Sequence, residues 1–137
     1  MNIKIDGIPK PQARPRFSSR GKFVKVYSPK SDWRKHLEKE FKKLDFYFDS
    51  AIVIDLDFYM PRPKSHYRSG KFSHIKKDNA PEYHISKPDI DNLTKPVFDA
   101  MEDAGILSND SIIIGGERWK TYGDEPGVEI LVRKLDC

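Results

Sequence analysis

Cysteine is almost missing from this chain of 137 residues, the one copy being Cys137, the last residue. Disulfides within the chain and cysteine-based metal sites are excluded, so any metal must sit on oxygen or histidine. Long apolar runs are missing too. No stretch approaches the roughly eighteen residues that cross a bilayer, and Met1 to Gly7 holds no signal-peptide apolar core, so a soluble, cytoplasmic protein is expected. Nor is there an internal repeat, a low-complexity segment or a second-domain boundary, and at about 150 residues per domain the length leaves room for one. With 37% hydrophobic, 12% aromatic and 34% charged residues, the chain is polar yet carries enough rings and branched apolar side chains to fold.

Acidic side chains are scarce where basic ones gather. Residues 1–50 carry 13 basic and 6 acidic side chains, whereas 51–137 carry 12 and 15. From Lys10 to Lys43 the ratio is 12 to 3, and from Arg62 to Lys77 it is 6 to none. The first segment includes Arg14, Arg16, Arg20, Lys22 and Lys25; the second holds Arg62, Lys64, Arg68, Lys71, Lys76 and Lys77, with Lys87 beyond it. Phe17, Phe23, Tyr27, Tyr67 and Phe72 interleave with these cations, a pattern suited to a polyphosphate backbone. Nucleic acid is therefore the expected partner, against the plainer reading of solubilising surface lysines.

Periodicity places these segments. Asn2 to Ile8 alternates as a half-buried strand before the Pro9-Lys10-Pro11 breaker, after which an extended basic loop is expected as far as Tyr27, with a short strand at Phe23–Tyr27. Ser28 or Ser31 can cap a helix to about Leu44 that buries Trp33, Leu37, Phe41 and Leu44 and turns Arg34, Lys35, Lys39, Lys42 and Lys43 outward. Ala51 to Met60 alternates as the clearest strand and ends at Pro61. Arg62 to Lys87 reads as a long loop. A second helix is expected over Asn92–Ala104, with Leu93, Val97 and Met101 inward and Gly105 as its stop. Strands at Ser111–Thr121 and Val128–Lys134 complete the expected architecture: a single α+β domain, residues 1–137, with a mixed sheet of four to five strands and two main helices.

Asp89-Ile90-Asp91 sets two carboxylates one apolar residue apart. They face the same way only on extended backbone, because on a helix positions i and i+2 diverge by about 200°. Pro88 and Pro96 make extended backbone plausible, with the regular helix delayed to about Asp91–Thr94 and Ile90 directed into the core. Asp110, in the turn before the next strand, can return to the same sheet edge. Three converging carboxylates call for a neutralising cation, and magnesium takes hard oxygens together with phosphate oxygens. Beside a basic surface, that chemistry implies phosphodiester hydrolysis, with Lys95 able to set an ammonium on developing charge. Plainer readings stand alongside: a helix cap, an Asp91–Lys95 pair, and an Asp110 that only shapes its turn.

Lys87-Pro88-Asp89-Ile90-Asp91-Asn92-Leu93-Thr94-Lys95, followed by Phe98-Asp99-Ala100 and Ile106-Leu107-Ser108-Asn109-Asp110-Ser111, resembles the signature of the RusA family of Holliday junction resolvases. Gly7-Ile8-Pro9, Arg14-Pro15-Arg16 and Met60-Pro61 extend the likeness over most of the chain. The resemblance implies a RusA-like fold and a magnesium-dependent endodeoxyribonuclease, with manganese able to substitute. It further implies cutting of four-way junction DNA as a homodimer, in a bacterial or prophage setting. It assigns catalytic and metal-binding roles to Asp89, Asp91 and Asp110, and a basic catalytic role to Lys95. Pro96 and Asn109 depart from the family pattern, the latter leaving Asp110 as the third acid. Asn92 is expected to orient its loop. Glu117 stands open between a strand-surface position, which is favoured, and the site. His36, His66, His74 and His84 are expected in structural or DNA-facing places, since zinc ligation needs closer pairs. Trp33 and Trp119 read as core or interface residues, and Ile112, Ile114 and Trp119 as candidates for a dimer interface.

Overall fold

The alternation at 52–60 builds the central strand of the protein. The computed structural model describes residues 1–12, 16–20, 23–27 and 30–135. In chain order it contains β1 (Asn2–Asp6), β2 (Arg16–Arg20), β3 (Phe23–Tyr27), α1 (Asp32–Lys42), β4 (Ile52–Met60), α2 (Ile90–Asp103), β5 (Ile113–Gly115), β6 (Arg118–Tyr122) and β7 (Gly127–Lys134). β7 runs antiparallel along one edge of β4, and β1 runs antiparallel beyond β7. β5 and β6 lie parallel along the other edge, completing the mixed five-stranded sheet of an α+β fold.

Period-2 geometry sends Ile52, Ile54, Leu56 and Phe58 of β4 into the core and Val53, Asp55, Asp57 and Tyr59 to the opposite face. Each of those four inward side chains contributes about 1.5–3 kcal/mol by leaving water. They meet Trp33, Leu37 and Phe41 of α1 and Leu93, Val97, Ala100 and Met101 of α2 in one apolar cluster. Both helices thus cover the inward face, while the outward residues of β4 remain only half-buried.

Four expectations need correction. First, Arg16–Arg20 is a strand rather than loop: it pairs antiparallel with β3 so that Arg20 faces Phe23. Second, Arg34 does not point to water. Half-buried between the helices, it pairs with Asp103 and lies 3.9 Å from Asp99, both on α2, and 3.5 Å from Glu38. Ser31 caps α1 as expected, its hydroxyl accepting from the Arg34 amide at 3.2 Å.

Third, residues 111–121 are not one strand. A 3-10 turn at Asp110–Ile112 leads into β5, and the chain breaks at Gly116 before β6. There φ is +137°, and a Cβ would stand 1.9 Å from the Ile54 carbonyl oxygen, so only glycine fits. Fourth, α2 begins at Ile90, ahead of both Asn92 and the delayed start expected from Pro96. Pro96 cannot donate to the Asn92 carbonyl, the bond that a helical residue there would make. The Gln12 amide takes that place, donating to Asn92 O at 3.0 Å. With its orphan acceptor satisfied from outside, the helix runs through the proline unbroken.

Candidate active site

Asp89 occupies the N-cap position of α2 with extended backbone, φ −68° and ψ 150°, and Asp91 lies in the first helical turn. The pair therefore straddles the start of a helix instead of sharing an extended segment, which corrects the expected backbone. Ile90 between them packs against the core, as expected. Both aspartates are exposed at the positive end of the helix dipole, where anionic groups are favoured. The Asp89 carboxylate makes no capping hydrogen bond, and among the described residues neither Asp89, Asp91 nor Asp110 joins a salt bridge.

Two contacts from distant chain fix this corner. Lys120 of β6 donates through Nζ to the carbonyl oxygens of Ser86 and Pro88, each at 2.8 Å, clamping the segment that enters Asp89. Burial pushes the Lys120 pKa down, while the Asp89 charge works in the opposite direction. Gln12 tethers the other side through Asn92, so Asn92 is held by its carbonyl. Around them lies a cavity of about 530 Å³ lined by Pro11, Gln12, Lys87, Pro88, Asp89 and Asn92. Neither Lys120 nor Gln12 is legible as a site residue in the sequence, because each acts through a backbone carbonyl that only the fold brings near.

Asp110 opens the 3-10 turn that packs against α2, capped by the Asn109 side chain, which accepts from the Ser111 amide at 2.8 Å. Asn109 thus shapes the turn, and Asp110 is exposed. Among the described residues no three Asp, Glu, His or Cys side chains stand close enough to hold a metal ion together, so the expected three-acid convergence is not present in this structure. The donor chemistry nonetheless fits a hard divalent cation: Asp89 and Asp91 offer carboxylate oxygens that form no salt bridge among the described residues, and magnesium binds through one or two carboxylates while keeping waters. Lys95 lies one turn into α2, mostly exposed, with its Nζ 3.6 Å from Asp99 Oδ1 rather than paired with Asp91.

The long basic loop is a folded lobe. Residues 64–66 and 70–72 form 3-10 turns, and Tyr67 bridges Lys76 in antiparallel fashion. The Arg68 amide donates to Ile75 O at 2.8 Å and the Lys77 amide to His66 O at 2.9 Å. Tyr122 of β6 anchors it: His66 and His84 meet its ring edge-on at 4.7 and 5.0 Å, and the Arg62 guanidinium sits 5.1 Å from the ring centre. Arg62 also donates to Pro81 O at 2.6 Å, so it holds the lobe together. His84 is buried, and that burial, followed by the Lys120 charge, pushes its pKa down. His36 donates to Asp6 O at 2.9 Å, and His74 is exposed. Lys64, Arg68, Lys71, Lys76, Lys77 and Lys87 are exposed to solvent. Arg14 and Lys22 lie outside the described residues, while Arg16, Arg20 and Lys25 lie on the β2–β3 hairpin.

Glu117 belongs to a different surface. Its amide donates to Asp55 Oδ1 at 2.8 Å, and it lines a cavity of about 260 Å³ with Asp55, Asp57, Trp119 and Glu129 on the outward face of the sheet. Burial, reinforced by Glu129, Asp55 and Glu117, pushes the Asp57 pKa up. Trp119 and Ile114 are exposed on this side of the chain, whereas Ile112 packs against the core and Trp33 lies within it.

Comparison with known proteins agrees with this architecture. A Bacillus subtilis (strain 168) protein described as uncharacterized protein YqaN is 32% identical over 144 residues, an alignment covering 100% of this chain and 98% of that relative. The model of the family described as endodeoxyribonuclease RusA matches residues 6–133. With nearly its whole length matched, the chain belongs to the RusA family of endodeoxyribonucleases.

Proposed function

We propose that this endodeoxyribonuclease resolves four-way DNA junctions by paired nicks during recombination and repair, with magnesium as its cation and manganese able to substitute. The observation that carries the reading is the corner at the start of α2, where Asp89 and Asp91 join no salt bridge among the described residues and Lys120 clamps the segment that enters Asp89. Asp89 and Asp91 would hold the metal, and Asp110, which this structure does not bring together with them, would complete the set only once a cation draws the three carboxylates in. When bound, the cation supplies Lewis-acid stabilisation of the phosphoryl oxygens and a more acidic water. Lys95 offers an ammonium to the charge that develops on the phosphate, and Lys120 keeps the Asp89 segment in place.

Charge also orients the DNA. The outward sheet face, with Asp55, Asp57, Glu117 and Glu129, repels phosphate, so the duplex arms follow the lobe and the α2 corner instead. Arg14, Arg16, Arg20, Lys22 and Lys25 of the hairpin region and Lys64, Arg68, Lys71, Lys76, Lys77 and Lys87 of the lobe side supply the phosphate contacts. Such contacts position DNA without reading its sequence. One chain carries one Asp89–Asp91 pair, so two opposed nicks call for a two-fold homodimer. The substrate places the protein with the DNA of a bacterial cytoplasm.

Labelled four-way junction, flap and linear duplex of equal length, incubated with magnesium or with EDTA, test the reading. Junction cut at two symmetric positions only with magnesium is the expected result. Preferential cutting of the flap would assign a different branched substrate, and binding without cutting in either condition would make the protein a DNA-binding module.

A further inference from the structure

The lobe contains a concavity that the Asp89 corner does not use. Its volume is about 730 Å³, and Lys64, Arg68 and Lys77 contribute three cations to its wall. Ser65, Ser69 and Ser73 add hydroxyls, Tyr67 adds a ring, and among the described residues no carboxylate lines it. A wall of cations and hydroxyl donors suits a phosphate, and a tyrosine beside them suits a base. The size falls in the range of small-molecule pockets, about 300–1,000 Å³, which takes a nucleotide and not the width of a duplex.

The pocket is built rather than draped. The backbone bonds Arg68 N to Ile75 O and Lys77 N to His66 O, with the Tyr67–Lys76 bridge, fix the walls relative to one another. His66, next to Tyr67, is itself held against Tyr122. β6 thus carries both anchors: Tyr122 secures the lobe, and Lys120, two residues earlier, secures the segment entering Asp89. A strand seated in the lobe is therefore tied through a single β-strand to the acidic corner.

We propose that this pocket seats one unpaired nucleotide of a DNA strand, its phosphate between Lys64, Arg68 and Lys77 and its base against Tyr67. The proposal rests on the nuclease reading for the choice of nucleic acid and adds a preference for unpaired strand, which duplex arms do not offer and a junction's crossover can.

Binding of fluorescent oligothymidine and of a duplex of equal length, in EDTA and across a salt series, tests this without requiring cleavage. Four variants are compared with the wild-type protein: Lys64→Ala/Arg68→Ala/Lys77→Ala, Tyr67→Leu, Tyr67→Phe, and a control of equal charge loss at the C-terminal end of α1, Lys39→Ala/Lys42→Ala/Lys43→Ala. The pocket triple is expected to weaken oligothymidine binding at least about tenfold and to lower its salt slope by roughly 0.7, the share of one phosphate contact on a single strand. Tyr67→Leu should weaken oligothymidine binding about tenfold and duplex binding little, with Tyr67→Phe restoring it. Equal losses from the pocket triple and the α1 control would overturn the pocket. Losses in which duplex and oligothymidine fall together and Tyr67→Leu is silent would reduce it to a phosphate patch and overturn the nucleotide assignment. Circular dichroism melts confirm that the variants, altered at partly or fully exposed side chains, remain folded. Pocket-dependent oligothymidine binding by a protein that cuts no junction would refute the resolvase reading and leave the pocket standing.

Discussion

Lys120 Nζ stands 2.8 Å from the carbonyl oxygen of Pro88, the residue before Asp89, so a cation on β6 sets the backbone from which the first site carboxylate projects. The same ammonium also binds Ser86 O, and two carbonyls at one amine leave the segment little freedom. Outer-shell partners of this kind are worth about 10–100-fold in metal affinity or activity. Lys120→Met is therefore expected to raise the magnesium concentration for half-maximal cleavage about tenfold or more while leaving junction binding in EDTA unchanged, with Lys120→Arg partly restoring it. Parallel loss of binding and cleavage at every magnesium concentration would mean that Lys120 serves only the fold.

The acidic outward face sets a stability prediction. Asp57 lies directly opposite Glu129 on β7, and like charges so placed cost roughly 0.2–1 kcal/mol. A carboxyl whose folded pKa is raised favours the folded state below its ordinary value of 3.8 and loses that contribution as pH rises through the folded value. Asp57→Asn is accordingly expected to raise the melting temperature by a few degrees at pH 7.5, with the gain shrinking towards pH 4. An equal gain at both pH values would show that packing, not charge, is responsible.

Assembly can be read from the number of strands cut. Ile114 and Trp119, 58% and 53% exposed, remain available for a two-fold contact, whereas Ile112 is engaged with the core. Purified heterodimers of wild-type and Asp91→Asn chains should nick one strand of a cruciform plasmid without linearising it. Linear product within a single binding event, or a monomer by light scattering both free and on DNA, would contradict a homodimer with one site per chain.

Local patterns were legible wherever one residue's neighbours along the chain decide its place. The alternation of Ile52, Ile54, Leu56 and Phe58 and the stripe of Trp33, Leu37 and Phe41 each became the element expected. What escaped was settled by distant partners. Pro96 argues for a late helix start until Gln12, more than eighty residues earlier, supplies the donor for Asn92. Residues 111–121 look like one strand until the Ile54 carbonyl is set against Gly116. Asp55, Asp57, Glu117 and Glu129 come from β4, β7 and the connection into β6, and only the sheet register makes them one surface. Asp89 and Asp91 were found from spacing, but the backbone between them turns out to be the start of a helix.

The most direct test of the account measures binding and nicking of a four-way junction on the same preparation of Asp91→Asn protein, with magnesium present. Removing one carboxylate takes away a metal ligand and a negative charge that faces phosphate, so cleavage should fall below detection while junction affinity holds or rises. Asp89→Asn and Asp110→Asn should behave in the same way. Cleavage at the wild-type rate by Asp91→Asn, or loss of binding in step with loss of cutting, would contradict a metal-dependent catalytic site at the start of α2.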